Sequence, residues 1–183
     1  MGATARNLWN SIGYDSGLPG GVWVDWAGSG ASATANVSTS VLQNSDTDLH
    51  SLALYAPLGE HVTVKTQPFF LPETLRTGAL LVANGAATLA AGSSGRATLE
   101  VVWYDKEGTE LSSSIAWIVI LSSTTWGDVF PLQGVGTSSP DEVAYGFKMT
   151  WLGGLPSGGT SYWSLPQLGV PGANGENWNP VWL

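Results

Sequence analysis

Arg96-Ala97-Thr98-Leu99-Glu100-Val101-Val102-Trp103-Tyr104-Asp105-Lys106-Glu107-Gly108 is the stretch on which the fold turns. Ala97, Leu99, Val101 and Trp103 alternate with Thr98, Glu100, Val102 and Tyr104, a period of two that puts the first set on the core face of a β-strand. Asp105-Lys106-Glu107-Gly108 supplies the turn, with Gly where a positive φ is needed, and Thr109 to Leu121 returns as the partner strand. After Ser112-Ser113-Ser114 the returning strand is apolar in both phases: Ile115, Trp117, Val119 and Leu121 on one, Ala116, Ile118 and Ile120 on the other. That pattern predicts a central strand covered on both sides.

Working outward, Tyr145, Phe147, Met149 and Trp151 alternate with Gly146, Lys148, Thr150 and Leu152, a second strand with an aromatic inner face. Upstream, Ala31 to Leu42, Ser51 to Ala56 and His61 to Gln67 read as strands, the last two separated by Pro57-Leu58-Gly59. Thr77 to Ala91 reads as two short strands joined at an Asn84-Gly85 turn. Eight to ten short strands without a sustained helix predict an all-β fold, a two-sheet antiparallel jelly-roll β-sandwich. Residues 1–30 form an N-terminal arm and first strand, 31–169 the sandwich and 170–183 a Pro-, Asn- and Gly-rich C-terminal arm. No internal repeat of propeller or solenoid length is present.

The 183 residues fit one domain able to bury a core without staples. Six basic residues against 14 acidic give a net charge of −8, which opposes binding to nucleic acid and to anionic membranes. There is no cysteine, so disulfides and thiolate chemistry are excluded. No apolar run has the length of a membrane span, which argues against membrane insertion. The start at Met1 lacks the basic and apolar regions of a secretory signal, so synthesis in a cytoplasm is expected.

Ten tryptophans are the strongest compositional signal, each a large rigid apolar surface with one N–H to satisfy. Trp103, Trp117 and Trp151 are in phase with apolar neighbours and are assigned to the core, as is Trp163. Trp9, Trp23, Trp26, Trp126, Trp178 and Trp182 fall in loops or arms. There an indole can stack on a sugar, fill a pocket on another subunit, or simply cover the end of a sheet.

No nucleophile elbow, zinc-protease run or phosphate-binding loop occurs, and His50 and His61 are the only imidazoles, so no catalytic residue is assigned and the chain is read as a non-enzyme. Asp46, Asp48, Asp141 and Glu142 lack the spacing of a calcium loop. No metal and no cofactor is expected.

Three pieces in order carry a family resemblance: Leu99 to Gly108; Trp126 to Pro131 with Pro140-Asp141-Glu142-Val143-Ala144-Tyr145-Gly146-Phe147; and Tyr162-Trp163-Ser164-Leu165-Pro166-Gln167-Leu168. Across residues 50–170 the chain resembles the jelly-roll carbohydrate-binding modules of the cenC-like, family 4/9/22 type, which also recur in phage tail and capsid accessory proteins. In that family the closing strand carries Trp or Phe followed by Asp, and an Asn…Phe-Glu signature accompanies a structural calcium. Here Ser164 follows Trp163, and Asn7-Leu8-Trp9 lacks the Phe-Glu pair, so the calcium is not carried over.

The resemblance, with the export signal missing, makes the first expectation a virion structural protein: a capsid decoration or minor tail protein of a tailed phage. Its arms would dock on capsid or tail subunits and on its own copies, with a trimer expected by analogy, and a host surface glycan is a possible further partner. The alternative is a carbohydrate-binding module that stacks polysaccharide on loop tryptophans. Fold alone does not decide between them.

Overall fold

A computed structural model describes residues 23–28, 33–44, 49–66, 68–76, 78, 81–121, 127–129, 135–163, 166–170 and 179–180. They form thirteen strands: β1 (Trp23–Gly28), β2 (Thr34–Asn44), β3 (Leu49–Pro57), β4 (His61–Thr66), β5 (Phe69–Phe70), β6 (Val82–Leu89), β7 (Gly95–Tyr104), β8 (Glu110–Leu121), β9 (Gly127–Val129), β10 (Ala144–Gly153), β11 (Gly158–Trp163), β12 (Gln167–Val170) and β13 (Asn179–Pro180), with a 3-10 turn at Glu73–Leu75. One sheet, A, runs β1-β4-β10-β7-β8, with β5 also on β10; the other, B, runs β13-β12-β6-β11-β3-β2, with β9 also on β6. All pairings are antiparallel. The chain passes repeatedly from one sheet to the other, and the result is a jelly-roll sandwich.

Period-two alternation builds the core between the sheets. Tyr145, Phe147, Met149 and Trp151 of β10 and Ala97, Leu99, Val101 and Trp103 of β7 are all buried, and they meet Leu52, Leu54 and Ala56 of β3 and Trp163 of β11. A buried indole needs an acceptor, and each finds one: Trp103 Nε1 donates to Ser114 Oγ at 3.2 Å, Trp151 Nε1 to Gly159 O at 2.9 Å, and Trp163 Nε1 to Ser161 Oγ at 2.8 Å. The Trp151 ring lies so close to Gly95 that a Cβ there would sit 2.6 Å from it, so glycine is what lets the indole approach β7 this closely. Tyr145 packs between Phe69 and Phe147 at centroid distances of 5.7 and 5.8 Å, and burial raises its phenol pKa.

The turn after β7 forms as its sequence indicates. Asp105 Oδ1 accepts from Glu107 N at 2.9 Å and Thr109 N at 2.7 Å, and Gly108 takes φ +81°, an Asx-type turn closed by glycine.

Three expectations are corrected. Strand β8 is not central: among the described residues it pairs only with β7, and Ile115, Ile118 and Ile120 are exposed. The alternation also breaks inside it. Glu100 pairs with Ile115 but Leu99 pairs with Trp117, leaving Ala116 as an extra residue, a β-bulge that flips the phase. Ser112 and Ser114 therefore share the core face with Trp103 and Val101, while Ile115 lies on the outer face with Glu100. Second, Val82–Leu89 is one strand, and no turn forms at Asn84-Gly85. Asn84 pairs with Gln167 and Gly85 with Val129, so neighbours on the ladder outweigh the local turn preference. Third, Trp23 and Trp26 lie on β1, an edge strand of sheet A, opposite Thr66 and Val64, and not in a loop.

Candidate functional site

The outer face of sheet A, the one turned away from the core, is built by the alternate residues of the same strands. Reading across β4, β10, β7 and β8, register aligns Thr63, Thr150, Thr98 and Ile118 in one row and Lys65, Lys148, Glu100 and Ile115 in the next. A further row places Phe70, Ala144, Tyr104 and Glu110 together. The centre is polar, and apolar side chains stand at its rims: Ile115, Ile118 and Ile120 on β8 and Phe70 on β5.

This face is concave. Lys65 and Glu110 stand on strands three places apart and, by register, four residues apart along β7, so their backbones would lie roughly 20 Å apart on a flat sheet at ~4.8 Å per strand and ~3.3 Å per residue, more than the two extended side chains span. Their Nζ and Oε2 nevertheless meet at 2.7 Å, so the sheet curls toward its outer side and the ion pair bridges the groove. Val102 belongs to this outer face by register with Ser113 and Gly146, and it is 0% exposed while standing outside the inter-sheet core cluster. Gly146 is buried as well, so both lie beneath the surface of this face.

Polar groups along the groove are held in place by one another. Lys148 Nζ meets Glu100 Oε2 at 2.8 Å, Ser113 Oγ donates to Glu100 Oε1 at 3.2 Å, and Thr63 Oγ1 lies 3.0 Å from Thr150 Oγ1. Such a surface offers fixed hydroxyls, ammonium donors and carboxylate acceptors beside apolar ledges. That is the chemistry by which a sugar's hydroxyls and its apolar ring faces are bound together.

On the core side of β8, beside Ser112, Glu142 is buried and fixes the loop before β10. It accepts from Ser138 N at 2.5 Å, from Ser139 N at 3.1 Å and from Ser112 Oγ. Burial alone works against the charge, but these donors outweigh it and leave the carboxyl below its ordinary pKa. Its oxygens are taken up by the protein, and among the described residues no cluster of His, Cys, Asp and Glu has the makings of a metal site.

The tryptophans sort unevenly against this geometry. Trp103, Trp151 and Trp163 are buried in the core. Trp117 is placed by register opposite Leu99. Trp23 and Trp26 lie on the edge strand β1, next to the groove strand β4. Trp9, Trp126, Trp178 and Trp182 lie outside the described residues. The groove residues Lys65, Lys148, Glu100, Glu110, Phe70 and Tyr104 were not singled out from sequence. The signal that marks them is the polar half of each alternation, which a search for core residues discards.

No protein-family model matches the chain, and no curated protein sequence does. Among solved structures the fold is similar to the C-terminal family 22 carbohydrate-binding module of Clostridium thermocellum Xyn10B, at 14% identity and a TM-score of 0.51, over 81% of this chain and 87% of that one. It is similar to a structure described for the promiscuous specificity of carbohydrate-binding modules from the β-sandwich superfamily, at 10% identity and a TM-score of 0.57, over 84% of this chain and 58% of that one. It is also similar to the enzymatically active domain of bacteriophage CBA120 tailspike protein 4, at 13% identity and a TM-score of 0.52. There it covers 85% of this chain but 21% of the tailspike chain. At these identities the likeness is one of fold.

Proposed function

We propose that the chain is a non-catalytic carbohydrate-binding module that takes a glycan along the concave outer face of sheet A. The observation that carries this reading is the groove itself, with a row of threonines and two ion pairs between apolar rims. The paired carboxylates Glu100 and Glu110 are engaged by lysines, which suits them to accept hydrogen bonds from sugar hydroxyls more than to move protons. The likeness in fold to carbohydrate-binding modules supports the same reading. The working surface is then the sheet face, and the loop tryptophans are not required for it.

The test is to fill the groove. Thr98→Tyr and Thr150→Tyr should each weaken glycan binding at least tenfold in calorimetry or affinity electrophoresis. Thr160→Tyr on β11 of sheet B, which pairs in register with the exposed Tyr55, should leave it unchanged. Equal binding by all three would sink the assignment of the groove, and no binding to any of a broad glycan panel would sink the module reading.

A second reading rests on the tailspike likeness. Such a module would serve on the particle of a tailed phage, as a capsid decoration or minor tail protein, made in the host cytoplasm and assembled as a trimer. Its terminal segments, with Trp9, Trp178 and Trp182, would dock on other virion subunits while the groove reads a host surface glycan. Deleting residues 171–183 should abolish incorporation into particles and leave the sandwich folded; undiminished incorporation removes the docking role.

A further inference from the structure

Among the described residues, the lysines of the groove are paired with carboxylates and the arginines at its ends are not. Lys65 and Lys148 each meet a carboxylate, at 2.7 and 2.8 Å, and Lys106 meets one at 3.5 Å in the β7–β8 turn. Arg76 and Arg96 do not: among the described residues no carboxylate comes within ion-pair distance of either. Both lie at this face. Arg96 is exposed in register with Leu152 and Ile120, and Arg76 is carried on the ring of Phe70, which pairs with Ala144 in the Tyr104 row.

Arg76 is also held in place. Its Nε donates to Leu71 O at 3.0 Å, and its Cζ stands 4.8 Å from the centroid of the Phe70 ring. Leu71 is itself fully buried, with its N–H bonded to Val143 O at 2.9 Å. The guanidinium is therefore anchored on one side by a rigid carbonyl and across its plane by an aromatic ring. With Nε engaged, the edge carrying Nη1 and Nη2 remains, two parallel donors whose spacing matches a carboxylate. The side-chain entropy that such a contact normally costs has already been lost in the free protein.

We infer that the groove is built for an anionic glycan bearing sugar carboxylates, and that Arg76 is the residue that reads the charge. This rests on the groove reading and adds to it the class of ligand: a uronate-containing oligosaccharide whose carboxylate docks on the Nη edge of Arg76 while the sugars that follow run along the groove toward the threonine row, six residues or roughly 20 Å away along β7. Arg96, eight residues along β7 from Tyr104 and so roughly 26 Å away at ~3.3 Å per residue, supplies a second positive end for a longer chain.

The test uses matched probes: galacturonate, glucuronate and mannuronate oligosaccharides, each with its neutral methyl ester, plus a sulfated neutral oligosaccharide, titrated calorimetrically at low and high salt. The expected result is a preference of at least tenfold for the acid over the ester in one or more pairs, shrinking as salt rises. Arg76→Gln should abolish that preference and Arg76→Lys should restore part of it, both variants still melting cooperatively as folded proteins. Equal binding of acid and ester across the pairs overturns the inference and leaves the groove as a neutral-glycan site. So does a preference that survives Arg76→Gln, or an Arg76-dependent preference for the sulfate alone. Failure of every oligosaccharide, charged or neutral, to bind removes the groove reading and this inference together.

Discussion

The two faces of sheet A are made by alternate residues of the same strands, and they obey different rules. On β10 the core face is Tyr145, Phe147, Met149 and Trp151, all buried among aromatic and aliphatic neighbours. The outer face of the same strand carries Lys148, paired to Glu100, and Thr150, beside Thr63. Dispersion and exclusion of water hold the first face, which tolerates no vacancy. Hydrogen bonds and screened ion pairs organise the second, and they contribute little to stability. What the difference teaches is that one strand can spend half its residues on folding and leave the other half free for recognition.

The sharpest way to break that comparison is to truncate neighbours on opposite faces. Trp151→Ala should destabilise the sandwich by about 3–5 kcal/mol, since it opens a large cavity and leaves Gly159 O without its donor. Thr150→Ala, one residue away, should cost under about 1 kcal/mol. Urea denaturation with the slope monitored would check both. Comparable losses would mean that the outer face is a second core and not a recognition surface.

Glu142 tests the border between the two regimes, because it is a charged group used for folding. Glu142→Gln turns one of the two accepting oxygens into a donor, so either Ser138 N and Ser139 N or Ser112 Oγ loses its acceptor, an expected loss of roughly 1–3 kcal/mol. The pH dependence has a definite sign. The folded carboxyl lies below its ordinary value of 4.5, so its contribution is fully present above that value and is lost as pH falls through the lowered one. Melting temperature followed downward from pH 6 should therefore fall less steeply in the glutamine variant. A parallel slope would show that Glu142 is not held as the anion.

How much of this was legible in the sequence follows from the same two-face logic. The β7–β8 hairpin, the aromatic face of β10 and the sandwich class are local in origin, since alternation and turn chemistry act over a few residues. The edge position of β8 is not local. Ile115, Ile118 and Ile120 look like a doubly covered strand, and only the order β4-β10-β7-β8 shows that nothing among the described residues lies beyond it. The bulge at Ala116 is equally invisible, because it depends on pairing with Leu99 and Glu100. The groove was missed for a related reason. Its residues come from five strands and are separated by as many as 87 positions, as Thr63 and Thr150 show, and threonines and paired lysines have no motif. Tryptophans carry the stronger sequence signal, because their size is visible whether or not they are at work.

The ion pairs of the groove should be weaker than the core by an order of magnitude. Lys148 and Glu100 retain 28% and 15% of their side-chain exposure, so a double-mutant cycle through Lys148→Met and Glu100→Gln should give a coupling under about 1 kcal/mol. The coupling should shrink in salt, as expected for charges near solvent. A coupling of several kcal/mol that is insensitive to salt would place the pair in the folding machinery and remove it from the recognition surface.

The smallest expected effect is the most specific check on the edge of sheet A. Ile118 is 53% and Ile120 77% exposed, so their side chains bury little on folding, whereas Val101, one strand over on β7, is fully buried. Ile118→Thr and Ile120→Thr keep the β-branch that suits a strand and should each move stability by no more than about 0.5 kcal/mol. Val101→Thr, a comparable loss of apolar character, places a hydroxyl in the core and should cost about 1–3 kcal/mol. The exposed isoleucines are therefore not explained by folding. An apolar rim beside a polar groove has a use if sugar ring faces rest on it, and the two threonine variants should then weaken glycan binding while the melting curve stays in place. If instead they destabilise as Val101→Thr does, β8 is covered in solution by another part of the molecule, and the groove is narrower than its described strands make it.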